Sequence, residues 1–72
     1  MEKMAVSYKK LWKILIDRDM NKTTLRKEAG ISTGALAKLG KNENVNTEVL
    51  VKICNTLHCD ISDIMELVEE EQ

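Results

Sequence analysis

Proline and phenylalanine are absent from this 72-residue chain, which holds only three glycines, two cysteines, one tryptophan, one tyrosine and one histidine. Without proline nothing forces a helix interior to break, and with so few glycines and little β-branched alternation a turn-rich all-β fold has no support. Leu, Lys, Glu, Ile and Met are plentiful instead, a helical composition that points to an all-α class. Two cysteines are too few for a disulfide scaffold, and Cys54 and Cys59 read as reduced structural thiols. A metal site needs more than Cys54, His58 and Cys59 offer, and Cys54 lies on a helix's apolar stripe, so neither metal nor cofactor is expected. The lone His58 falls at a predicted helix end, where a donor to free carbonyls is useful. No serine, cysteine or carboxylate pair is arranged around it as nucleophile and base, so no catalytic residue is named and the chain reads as a non-enzyme. No apolar run approaches the roughly 18 residues of a membrane span, and the first residues lack the apolar core of a signal peptide, so a cytoplasmic setting without membrane contact is expected. The length allows one domain, residues 1–72 with a core over 6–68, burying only about 60% of the unfolded surface.

Charge of one sign is also missing on average, the formal net charge being −1, but the average conceals a division. Residues 9–41 hold nine cations (Lys9, Lys10, Lys13, Arg18, Lys22, Arg26, Lys27, Lys38, Lys41) against Asp17, Asp19 and Glu28, a balance of +6. Residues 42–72 hold Lys52 against eight acids, a balance of −7. Such asymmetry suits a protein that docks one face on phosphate, although helix surfaces are often charged for solubility alone.

What is present is a repeated helix-start pattern: an apolar residue, a capping residue, then another apolar residue four positions after the cap. It occurs at Val6, Met20, Ile31, Val45 and Cys59, with Ser7, Asn21, Ser32, Asn46 and Asp60 as caps, and each is followed by helical periodicity. Five such starts predict a compact five-helix bundle. Residues 1–5 carry no pattern and read as a loose N-terminus. The first helix presents Leu11, Ile14, Leu15 and Arg18 on one face and Tyr8, Trp12 and Ile16 on the next. The second runs from Lys22 to about Ala29, turning Leu25 and Ala29 inward and Lys22, Arg26 and Lys27 outward. Gly30 supplies a left-handed stop, and the third helix runs from Thr33 to about Leu39 with Leu36 and Leu39 inward. The GKNEN stretch, 40–44, is a loop. Val49, Leu50, Ile53, Cys54 and Leu57 form the stripe of a fourth helix ending near His58, and Ile61, Ile64, Met65 and Val68 that of a fifth, with Asp63 at the reciprocal capping position. The acids from Glu69 to Glu71 read as a solvated, fraying acidic end.

Two short helices joined by a three-residue turn containing Gly30 make a helix-turn-helix pattern. At 100° per residue, Gly34, Ala37, Lys38 and Lys41 lie opposite the core side of the third helix, with Thr33 at the edge. Gly34 there costs roughly 1 kcal/mol relative to alanine, a cost that makes sense if the helix must approach something closely. The DNA major groove, about 12 Å wide, accepts such a helix. Thr33 can meet a thymine methyl or a base acceptor, Gly34 and Ala37 permit approach, and Lys38 can donate to guanine or equally to phosphate. Lys22 and Thr23 at the start of the second helix, and Lys41, Asn42 and Asn44 after the third, suit phosphate, although the two asparagines also read simply as turn formers. The remaining cations are steering charges or ordinary surface.

The run GISTGALAKLGKNENVNTEVLVKICNTLHCDISDIM, with MNKTTLRKEA before it, resembles the Cro/C1-type (XRE) helix-turn-helix domain of bacterial and phage transcriptional regulators over residues 6–68. The resemblance implies a lambda-repressor-like DNA-binding domain, a repressor on double-stranded DNA, with Thr33, Gly34 and Lys38 at base-reading positions. That family often carries Gln or Arg where Thr33 and Gly34 stand, so direct readout is expected to be thin and DNA shape to share the specificity. A module this small is expected to act as a homodimer, through the last helix or the exposed parts of Trp12 and Ile16, with no small-molecule substrate. The competing reading is a protein-interaction module, an antitoxin or regulatory subunit, that keeps the fold but uses an acidic or apolar face.

Overall fold

In the computed structural model, which describes residues 3–70, strand β1 (Lys3–Ser7) leads into helix α1 (Lys9–Asp17). Helices α2 (Lys22–Ala29), α3 (Thr33–Gly40) and α4 (Thr47–Leu57) follow, then a 3-10 turn (Ile61–Asp63) and strand β2 (Glu66–Glu70). The local chemistry read from the central segment is present. The Asn21 side chain accepts from Thr24 N–H at 2.7 Å, and Gly30 leaves α2 at a φ of 70°. Ser32 then accepts from Ala35 N–H at 3.0 Å. Three residues therefore separate two capped helices, which fixes how α3 leaves α2.

The core gathers Leu11 and Leu15 of α1, Leu25 and Ala29 of α2, Ile31, Leu39 of α3, and Leu50, Ile53 and Leu57 of α4. Ile64 and Tyr8 complete it, and none of the buried side chains among the described residues is charged. Leu36 is only half-buried, whereas Tyr8, grouped by periodicity with Trp12 and Ile16, is inside. The end of α4 is tied to α1 by Arg18, whose guanidinium donates to the Leu57 carbonyl at 2.7 Å, a cation placed on the free carbonyls of a helix C-terminus.

The two ends of the chain correct the all-α, five-helix expectation. Among the described residues there are four α-helices and a small antiparallel sheet, in register Lys3↔Glu70, Met4↔Glu69, Ala5↔Val68, Val6↔Leu67 and Ser7↔Glu66. Residues 3–5, expected to be loose, are the first part of β1. Ser7 ends β1 and Tyr8 takes the cap position of α1, the Ser7 hydroxyl still accepting from Lys9 N–H at 3.4 Å. The fifth helix is one 3-10 turn: Asp60 N–H donates to the Asp63 carboxylate at 3.0 Å as the capping pattern required, yet the chain turns extended after Ile64. The physical reason is pairing, since β2 completes its backbone hydrogen bonds on β1 across the whole chain length, which one more helical turn would forgo. Glu69 thus belongs to a strand rather than a fraying end, while Glu71 lies outside the described residues, as do residues 1, 2 and 72. Asn46 stands at the start of α4 without a side-chain capping bond; its carbonyl takes Val49 N–H at 3.0 Å instead.

Candidate nucleic-acid interface

The side of α3 away from the core is open. Thr33, Gly34, Ala37 and Lys38 are all exposed, while Leu39 is fully buried and Ala35 packs against the core. A methyl group added at Gly34 would meet only the Ser32 hydroxyl at 3.8 Å, an ordinary contact. The fold itself therefore does not require glycine at this position. The start of α3 and the start of α4 enclose a groove of about 280 Å³, lined among others by Ser32, Gly34, Lys38, Asn44 and Asn46. Lys38 and Asn44, separated by six positions in sequence, are thereby brought to one cleft.

The positions expected to meet phosphate divide into two groups. Lys22 and Thr23 are exposed at the start of α2. The Lys22 ammonium stands 4.4 Å from the centroid of the Trp12 ring, so its side chain is held by a cation–π contact rather than free in solvent. Lys41, Asn42 and Asn44 are exposed beyond α3. Asn42 is more committed than its neighbours: it adopts a φ of 56°, and its side-chain oxygen accepts from Tyr8 N–H at 3.1 Å. The Tyr8 hydroxyl donates to the Glu43 carbonyl at 2.8 Å, and burial pushes its pKa above 10.0. Two hydrogen bonds from one buried tyrosine thus anchor the loop that follows α3. No local pattern announces them, because the partners lie 34 and 35 positions away.

Among the described residues the one ion pair is Lys52–Glu48, at 3.4 Å on α4. No cation of residues 9–41 is thus in ion-pair contact with a carboxylate among the described residues. Lys10 donates to the Ser62 carbonyl at 3.2 Å and Arg18 to α4, while Lys38 stays exposed at the groove and Lys41 exposed after α3. Among the described residues no cluster of three His, Cys, Asp or Glu side chains could hold a metal ion, and no helix is long and apolar enough to cross a membrane.

The match to known proteins decides the family. The family model for the Cro/C1-type HTH DNA-binding domain covers residues 10–70. The chain belongs to the Cro/C1-type helix-turn-helix family. This Cro/C1-type protein is similar to a solved structure described as the crystal structure of transcriptional regulator VanUg, Form II, with 56% identity and a TM-score of 0.91 over 97% of this chain and 93% of that one. No curated protein matches it. The family is one of DNA-binding transcriptional regulators rather than an enzyme class.

Proposed function

We propose that this Cro/C1-type protein is a sequence-specific repressor in the cytoplasm, occupying its operator with α3 in the major groove. The observation that carries the reading is Gly34. It is exposed, its missing side chain is not demanded by any neighbour, and it sits in a helix where glycine is costly. A close-approaching partner accounts for that cost. Ala37 lengthens the low ridge, Thr33 meets base edges near the helix start, and Lys38 reaches guanine or a phosphate. Lys22 and Thr23 grip one flanking backbone, and Lys41, Asn42 and Asn44 the other. With Lys38 the one long polar group on α3, the spacing and width of the groove share in selecting the site.

The protein acts as a two-fold dimer on a pseudo-palindromic site. Met4 and Leu67, exposed apolar side chains on one face of the small sheet, support this, as does the exposed Ile16 of α1, which with Trp12 the sequence offered beside the last helix as the contact. The same residues favour the alternative reading, a regulatory subunit that binds protein and not DNA. One substitution separates the two. Gly34→Glu leaves the helical circular dichroism intact and abolishes binding to duplex DNA; retained binding removes α3 from the groove. If wild-type protein fails to bind duplex even at low salt, the protein-interaction reading replaces the regulator reading.

A further inference from the structure

The only two cysteines of the chain meet at the C-terminus of α4. The helix stops because His58 adopts a left-handed φ of 54°, and the next residue, Cys59, folds its N–H back onto the Cys54 carbonyl at 3.1 Å. This six-residue closure is the one in which the side chain after the left-handed residue packs on the side chain that opens the last turn, a contact ordinarily made by two apolar groups. Here both are thiols, both are half-buried and both are free. The backbone hydrogen bond between them brings the two residues together across the helix end.

From this we infer that Cys54 and Cys59 form a closable dithiol, a site of reversible two-electron oxidation by a hydroperoxide that seals the end of α4 with an intramolecular disulfide. The Cys59 N–H on the Cys54 carbonyl already holds the two backbones together at the helix end, so ring closure needs no large chain movement, a disulfide tolerating Cα separations of about 4.4–6.8 Å. The order of events follows from their surroundings. Burial first, then Cys59, Asp60 and Asp63, push the Cys54 thiol up to about 11, which leaves it a poor first nucleophile. Cys59, outside the helix, attacks the peroxide oxygen; the O–O bond breaks, hydroxide or alkoxide leaves and takes up the proton the thiol gave up, and Cys59 becomes a sulfenic acid. Cys54 then attacks the Cys59 sulfur, the S–O bond breaks, and the Cys54 proton leaves with the oxygen as water. Two thiols and one hydroperoxide thus give one disulfide, one water and one further water or alcohol.

The experiment uses the full chain, reduced and freed of reductant, then exposed to hydrogen peroxide, alkylated and mapped without reduction. The expected product is a monomer lighter by two hydrogens, with both alkylation sites lost together and a cross-linked peptide pair after cleavage at Leu57; dithiothreitol restores the original mass. Cys54→Ser and Cys59→Ser give no such product, and the wild-type map stands as the test if either variant fails to fold. Thiols that remain alkylatable, disulfides between chains, or independent addition of oxygen to each sulfur would each overturn the dithiol assignment.

Discussion

Asn42 is the position where structural and DNA-contacting roles can be pulled apart by measurement. Its side-chain oxygen accepts the N–H of Tyr8, a residue only 1% exposed, and its backbone occupies the left-handed region at a φ of 56°. Asn42→Ala removes the acceptor, leaving a poorly solvated amide at a cost of about 1–3 kcal/mol, and forces an alanine into a conformation that costs roughly 1–2 kcal/mol more. The sum, about 2–5 kcal/mol, is a large share of the roughly 4–11 kcal/mol that a 72-residue domain has in total. Asn42→Gly relieves the backbone strain and leaves the lost hydrogen bond, so it is expected to be milder than the alanine variant by about 1 kcal/mol. Asn42→Asp keeps an acceptor and tolerates the left-handed backbone. Its carboxylate also faces the start of α1, where negative charge is favourable, so stability should stay within about 0.5 kcal/mol of wild type.

The assay is urea unfolding followed by circular dichroism, with an unchanged m-value as the sign that only stability has moved. DNA binding is then measured on the stable Asp variant. A carboxylate beside the backbone weakens binding if the loop after α3 lies on phosphate. An Asn42→Ala variant as stable as wild type would refute the anchoring argument, and an Asn42→Asp variant that is stable and binds DNA unchanged would remove this loop from the interface.

The remaining expectations concern other parts of the molecule. Gly34→Ala should hold stability or raise it by up to about 1 kcal/mol, because the added methyl has room and suits a helix, while DNA affinity falls; higher affinity would contradict close approach. Lys22→Met should reduce the slope of log affinity against log salt by about one, and it should alter Trp12 fluorescence because the ammonium stands over that ring; an unchanged slope would leave Lys22 as a packing residue only. For Cys54 the folded pKa is raised from 9.0 to about 11, so the unfolded chain loses this proton first as pH rises. The associated stability is intact below pH 9.0 and is lost towards pH 11, so Cys54→Ser should show a smaller alkaline decline in urea midpoint than wild type.

The central helices were legible because their boundaries are written within a few residues: Asn21, Gly30 and Ser32 each act on groups no more than four positions away. The ends were not, because what decides them is a partner at the other end of the chain. All of ELVEE but Val68 are good helix formers, and KMAVS is too short and too mixed to alternate clearly. Only when the two are aligned do Val6 with Leu67 and Ala5 with Val68 appear as apolar cross-strand pairs. The same distinction runs through the site. The exposed face of α3 follows from 100° geometry and was visible in advance, whereas the two hydrogen bonds that Tyr8 sends to the following loop span half the chain.

That division bears on how the protein selects DNA. With α3 in the groove as proposed, an outer face of threonine, glycine, alanine and one lysine would carry little hydrogen-bonding information, and discrimination would rest on how well the duplex fits the cations around the helix. Their placement depends on the long-range contacts: Trp12 under Lys22, and Tyr8 under the loop bearing Lys41, Asn42 and Asn44. Tyr8→Phe, which keeps the buried ring and deletes only the bond to the Glu43 carbonyl, therefore tests whether specificity sits in α3 or in its setting. With a stability loss of about 0.5–1.5 kcal/mol the protein stays folded, and selection among random duplexes should then return a broader set of sites than wild type. An identical set would mean that the four residues of α3 read the operator without help from the loop.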